Sequence, residues 1–186
     1  ELMGITFPNP VGLAAGFDKN GDALHGLSKQ GFGFLEIGTI TPKAQSGNDK
    51  PRLFRLEADE AIINRMGFNN KGIDYLVKQV KNSKYKGVLG INIGKNKVTS
   101  NDNAVDDYVH CFEQARTLCD YITINISSPN TPDLRELQND QALTDLLTGI
   151  KTKQLECEKI DGQYTPTLVK ISPDQNQQQL RFMVEQ

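Results

Sequence analysis

YITINISSPNTPDLRELQ, Tyr121–Gln138, is the stretch on which the reading of this chain turns. Its first part is a strand: Tyr121, Ile122, Ile124 and Ile126 are aromatic or β-branched, side chains that suit a buried pleated surface. Pro129 and Pro132 then forbid a continued helix or ladder. A buried strand therefore delivers a stiff loop rich in hydroxyls and amides. A buried amide such as Asn125 costs about 1–3 kcal/mol unless it is partnered. With Ser127, Ser128, Asn130 and Thr131 following it so closely, the loop marks a candidate site.

Elements on either side repeat one pattern. Val11–Ala15 is a short apolar strand after an extended lead-in over residues 1–10, and Asn20 can cap a helix over Asp22–Gln30 that Gly31 ends. Phe34–Ile37 is a strand ending in Gly38-Thr39. A connection of about thirty residues, Thr41–Gly72, shows no clear period, and long loops tend to be functional. Ile73–Lys81 carries a helical stripe, Val88–Ile93 is a strand, and Ala104–Cys119 is an amphipathic helix. After the central loop, Ala142–Leu155 is helical with Leu143, Leu146, Leu147, Ile150 and Leu155 in phase. Thr167–Ile171 is a strand, and Asp174 can cap a last helix through Gln186. Alternating β and α elements predict a parallel sheet covered by helices, either an open doubly wound sheet or a (β/α)8 barrel.

Each strand ends in a residue that is odd for a core: Ala15-Gly16 leading to Lys19, Gly38-Thr39, Asn92, Asn125, and Lys170 inside TLVKI. A lysine in a buried strand is nearly absent unless it is paired or its charge has a use. In a parallel sheet the carboxyl ends share one side, where ligands bind. The five oddities therefore point to one rim, suited to an anionic or carbonyl-rich planar heterocycle.

Composition excludes several classes. The net charge is −2, so nothing points to nucleic acid. No apolar run approaches the roughly 20 residues of a spanning helix. Cys111, Cys119 and Cys157 lack metal spacing and read as reduced thiols, and His25 and His110 stand alone as surface or edge residues, so no metal site is expected. Neither a GxGxxG after the first strand nor a P-loop is present. Gly90–Lys97 has the look of a glycine loop, with Lys95 and Lys97 read as a solvated face. Without a histidine partner, Ser128 suits a proton relay in a preorganised site.

Six stretches taken together resemble one family. AAGFDKNG (14–21), EIGTITPKAQSGNDKPRLFR (36–55), INRMGFNNKG (63–72), GINIGKNK (90–97), NISSPNTPDLRELQ (125–138) and LVKISPD (168–174) are similar to the quinone-dependent, membrane-associated class 2 dihydroorotate dehydrogenases. NRMGFNN and NISSPNTP are the specific ones. The fumarate- and NAD-linked classes use a cysteine base, which this loop lacks. The resemblance implies a TIM (β/α)8 barrel with FMN at its carboxyl rim, of which about five βα units lie in residues 1–186. It implies oxidation of dihydroorotate to orotate in de novo pyrimidine biosynthesis, with a ubiquinone-type quinone as final acceptor.

The resemblance also assigns roles. Ser128 would be the base. Lys19, Asn64, Arg65, Met66, Gly67, Phe68, Asn125 and Asn130 would meet the substrate. Ala15, Gly16, Lys19, Thr39, Asn92, Asn125 and Lys170 would meet FMN, with the Lys170 charge offsetting that of reduced flavin. Phe68 and Thr131 would line the proton route from Ser128. Asp133 stands where the family usually has glycine, a departure that turn-tolerant Asp makes small. The remaining barrel units and phosphate loops are expected beyond Gln186, and membrane-associating helices before Glu1. The parent protein would then sit peripherally on the cytoplasmic side of a membrane, the inner membrane in a bacterium, and the isolated piece would be poorly stable and inactive. Two further readings stand beside this one: a (β/α)-barrel aldolase or lyase using Lys170 as a Schiff-base lysine, and a non-catalytic ligand-binding module.

Overall fold

Residues alternate in character along the strands. Leu35 and Ile37 flank Glu36, Ile91 and Ile93 flank Asn92, and Ile122, Ile124 and Ile126 interleave with Tyr121, Thr123 and Asn125. Successive side chains on a strand point to opposite faces, so one face is apolar and the other polar. The computed structural model, which describes residues 1–186 apart from the side chain of Asp140, builds this pattern into a parallel sheet. Among the described residues its strands are β1 (Gly12–Leu13), β2 (Phe34–Ile40), β5 (Val88–Ile93), β6 (Tyr121–Asn125) and β7 (Thr167–Lys170), adjacent in that order. The helices between them are α1 (Leu24–Leu27), α2 (Ile73–Asn82), α3 (Ala104–Ala115) and α4 (Asp140–Asp161), and α5 (Gln177–Glu185) follows β7.

The strand order decides between the two expected architectures. A doubly wound sheet reverses its order at a switch point. Here the order never reverses, and right-handed crossovers then place every helix on one face. That is the wall of a (β/α) barrel. Its outer face buries Leu35, Ile37, Ile91, Ile93, Ile122, Ile124 and Ile126 against Ile73 and Leu76 of α2, Tyr108, Cys111 and Phe112 of α3, and Leu143, Leu146 and Ile150 of α4. Its inner face carries Glu36, Asn92, Tyr121, Thr123, Asn125 and Lys170. The register aligns Glu36 with Gly90 and Gly90 with Tyr121 across three strands.

Several expected elements differ. The connection Thr41–Gly72 contains an antiparallel hairpin, β3 (Leu53–Leu56) and β4 (Ala61–Asn64), with Leu53 opposite Asn64. Both strands are exposed throughout, so no alternation betrays them. The helix expected over Asp22–Gln30 shrinks to α1, and Asn20 does not cap it. The Asp18 carboxylate instead accepts from the N–H groups of Asn20, Asp22 and Ala23. Strand Val11–Ala15 reduces to Gly12–Leu13, and α3 stops at Ala115, short of Cys119. Helix α4 outruns Ala142–Leu155 at both ends, and Leu155 leaves the stripe: Leu143, Leu146, Ile150, Gln154 and Cys157 are buried while Leu155 is exposed. Asn176, not Asp174, caps α5, in a reciprocal capping box with Gln179. Lys95 is not a solvated residue. It is buried and its Nζ donates to the Thr99 carbonyl, while Lys97 is exposed.

Candidate active site

The β6 end and the loop after it are pinned from below. Asn125 Nδ2 donates to Thr39 Oγ1 at 2.9 Å, and Asn125 Oδ1 accepts from the backbone N–H and the hydroxyl of Ser127. The Asn125 carbonyl accepts from the hydroxyl of Tyr108, wholly buried on α3, at 2.9 Å. Every polar end of this buried residue thus has a partner, as its burial demands. Burial pushes the Tyr108 phenol far above its usual range, so it stays a donor. After Thr131 the chain turns at Asp133 with φ 56°, a left-handed conformation that glycine adopts most readily and Asp tolerates.

Around this loop lies a cavity of about 430 Å³. Of the expected site residues it gathers Ala15, Gly16, Lys19, Thr39, Asn64, Met66, Gly67, Phe68, Asn125, Ser128, Asn130 and Lys170. They arrive from three separate connections and four strand ends. Arg65 is turned away: its guanidinium donates twice to the Pro51 carbonyl. Asn92 lies beneath the cavity, fully buried, and reaches it through Thr39, whose hydroxyl donates to Asn92 Oδ1 at 2.6 Å. His25 and His110 are exposed on helices away from it.

The hairpin forms one wall. Asn48 Nδ2 donates to the carbonyls of Asn130 and Arg65, and Asn130 Nδ2 donates to Asn64. Ser128 Oγ accepts from the Asn130 N–H at 3.2 Å, which orients the hydroxyl without using its proton. Thr131 is buried and its hydroxyl has no hydrogen-bond partner among the described residues, a group that calls for a water or ligand. Phe68 is buried with φ 53°.

Two amines set the electrostatics. Burial, and after it the charge of Arg52, lowers the Lys19 ammonium from its usual value. Lys170 Nζ donates to Ser127 Oγ at 3.0 Å. Sequence reasoning put Ser127 and Pro129 in the candidate loop without giving them a role at the site, and it missed Leu53 as a lining residue and Glu36, whose carboxylate accepts from Asn92 Nδ2, the Tyr121 hydroxyl and Thr123 Oγ1. Lys170 is not a lysine in a buried strand: β7 is the last strand of the sheet and Leu168, Val169 and Lys170 are exposed on it, so its ammonium stands at an open rim. Glu36, half-buried inside β2, is the charge that a core strand does carry. Among the described residues no group of three or more His, Cys, Asp or Glu is placed to hold a metal ion, and no helix is long and apolar enough to cross a membrane.

A barrel wall with donors, acceptors and two amines converging at its carboxyl rim defines a small-molecule site of the (β/α)-barrel class. The chain belongs to the dihydroorotate dehydrogenase family, whose profile matches residues 1–185. Among curated relatives, proteins named dihydroorotate dehydrogenase (quinone) from Pseudoalteromonas atlantica and Acinetobacter baylyi are 59% and 57% identical over 185 and 184 residues. These alignments cover 100% and 99% of this chain and 55% of each relative, so the chain spans about half the length of the curated relatives it matches. A crystal structure of the Eimeria tenella enzyme in complex with ferulenol superposes with a TM-score of 0.91 at 40% identity, covering 100% of this chain and 55% of that one. Its ligand-free form gives 0.87 over 98% of this chain. Membership of this family leaves the Schiff-base lyase reading of Lys170 without support.

Proposed function

We propose that this chain carries the base and much of the substrate and cofactor site of a quinone-dependent dihydroorotate dehydrogenase. The observation that carries the reading is the single cavity in which Lys19, Asn64, Asn125, Ser128, Asn130 and Lys170 meet, each inside a stretch similar to that family. The residues fit FMN: a carbonyl- and imide-edged planar ring matches the hydroxyl, amide and amine of Thr39, Asn125 and Lys170, which line the cavity, with Asn92 supporting Thr39 from behind. Ala15, Gly16, Lys19, Thr39, Asn92, Asn125 and Lys170 would hold FMN, which supplies a hydride acceptor when bound.

The chain's own residues do the rest. Asn64, Asn125 and Asn130 hold the pyrimidine ring by its amide edges, and Lys19 faces its anionic oxygens. Met66, Gly67 and Phe68 shape the wall and keep water from the reacting carbon. Ser128 Oγ takes the proton from carbon 5 and passes it towards Thr131, while the hydride leaves carbon 6. A quinone is a lipid-dissolved acceptor, so the full-length protein would work peripherally on the cytoplasmic side of a membrane, the inner membrane in a bacterium. The exposed apolar residues of the hairpin, Phe54, Ile62 and Ile63, stand beside the site and support a lipid-facing or covering segment there. Further βα units in the full-length protein would close the barrel.

The test is anaerobic mixing of dihydroorotate with the full-length protein while the flavin absorption band is followed. Rapid bleaching, reversed by a quinone, is the expected result. Recovery only with fumarate or NAD would move the protein to another class, and absence of a flavin band would leave a ligand-binding module. Ser128→Ala should bind substrate yet bleach about 100-fold more slowly or worse, the scale of a lost general base. Unchanged bleaching would remove Ser128 from that role.

A further inference from the structure

A hydrogen-bonded ladder runs down the inner face from the cavity to Glu36, a residue with no role in the reading above. From the top, Lys170 Nζ donates to Ser127 Oγ, and Ser127 Oγ donates to Asn125 Oδ1. Asn125 Nδ2 donates to Thr39 Oγ1, and Thr39 Oγ1 donates to Asn92 Oδ1. Asn92 Nδ2 then donates to Glu36 Oε1 at 2.8 Å. The other carboxylate oxygen accepts from the Tyr121 hydroxyl at 3.2 Å and Thr123 Oγ1 at 3.1 Å.

The direction of this ladder is forced by chemistry. An ionised carboxylate only accepts, so the edge of Asn92 that faces Glu36 must be its NH₂. Asn92 then turns its oxygen to Thr39, which must spend its one proton there and can only accept from Asn125. At the far end an ammonium only donates. Asn125 is also held from its own strand end by the Ser127 N–H. At Asn92 the other neighbour is the Thr39 hydroxyl, a group that can rotate to donate or accept, so the acceptor-only partner that fixes which end of Asn92 is which is Glu36. Gly90, between Glu36 and Tyr121 in the register, makes the arrangement possible, since a Cβ there would overlap the Tyr121 ring.

We propose that Glu36 is a positioning residue of the site: it sets the direction of the lower ladder, so that Asn92 takes one orientation and the Thr39 hydroxyl one direction beneath Asn125 and the ligand above. The inference rests on the FMN-site reading for what that ligand is, but not for the ladder itself. Glu36→Gln keeps the shape and removes the acceptor-only end, leaving both orientations of Asn92 open.

The experiment uses full-length protein in two states. In flavin-free protein, the side-chain amide NMR signals of Asn92 and Asn125 are compared between wild type and Glu36→Gln. Both pairs should shift, although only Asn92 touches residue 36. In the loaded protein, FMN affinity should fall about tenfold, the worth of one charge-assisted hydrogen bond. A purely structural Glu36 would lower the melting temperature and leave the Asn125 pair where it was, and that result overturns the proposal. Shifted amides with unchanged FMN affinity overturn it too. A wild type that holds no flavin refutes the dehydrogenase reading instead, and the amide shifts then decide the role of Glu36 alone. If Glu36→Gln does not fold, Glu36→Asp, which withdraws the carboxylate by one methylene, is read by the same two signals.

Discussion

Tyr108→Phe tests how the helical layer holds the chemical one. The hydroxyl of this wholly buried tyrosine donates to the Asn125 carbonyl at 2.9 Å, three residues before Ser128. Phenylalanine keeps the ring packed against the sheet and deletes only the donor. A buried carbonyl that loses its partner costs about 1–3 kcal/mol. Part of that is offset because the phenolic oxygen no longer has to be desolvated, so about 1.5 kcal/mol is expected. The assay is urea unfolding of flavin-free full-length protein, so that bound ligand does not mask the change. The slope with denaturant should stay constant while the midpoint falls. The released carbonyl also frees the end of β6, so anaerobic bleaching by dihydroorotate should slow severalfold. A midpoint within about 0.3 kcal/mol of wild type would refute the hydrogen bond's role, and lost stability with unchanged bleaching would refute the link to Ser128.

Three other substitutions probe separate parts. Lys170→Ala should cost about tenfold or more in FMN affinity, because Ser127 Oγ loses its donor and the rim loses its charge; a normal flavin spectrum and turnover would reject the assignment. Gly90→Ala should destabilise by about 1–3 kcal/mol through overpacking against the Tyr121 ring, read by the urea midpoint, with no change if the ring has room to move aside. Asp161→Asn probes the acid limb. The Arg116 hydrogen bond, first, and the Gln163 N–H, second, hold the Asp161 carboxyl below its usual range. A depressed folded pKa contributes stability above the unfolded value of about 3.9 that is lost as pH falls through the folded value. Wild type should therefore exceed the variant at neutral pH and converge with it on acidification below about pH 3.9; a gap independent of pH would reject the pairing.

Much of the architecture was legible because burial leaves a period. Val88–Ile93 has the same ends in the sequence reading and in the structure, since a short apolar run bounded by Gly87 and Gly94 has few alternatives. Phe34–Ile37 was cut short because Gly38 and Thr39 look like breakers; the strand runs on to Ile40 through a register shift against β5. The hairpin escaped because its pairing is local and its side chains are all exposed. Lys95 differs from the solvated face expected of it because a lysine in a glycine-rich loop normally reaches water, whereas here its Nζ donates to the Thr99 carbonyl; burial lowers its ammonium from the usual value, and Asp107 and Asp133 oppose that in part. At the site, residues at strand ends could be found because a polar group there contradicts a core position. Arg65 could not be placed from the sequence, because its direction depends on Pro51, fourteen residues away across the hairpin.

Glu36 shows where that rule was applied too narrowly. Looking only at strand ends finds the groups that touch a ligand, but the inner face of the sheet is polar along its length. A parallel sheet covered on both faces ordinarily reads as a continuous apolar run. When alternate positions in consecutive strands are Glu, Asn, Tyr, Thr, Asn and Lys, the apolar set fixes the fold against the helices and the polar set is left for the site. The two sets share one backbone, and a one-residue slip in register would exchange their faces. Strand register is therefore what positions the chemistry, and the isoleucines between the polar residues hold that register by their burial under α2, α3 and α4.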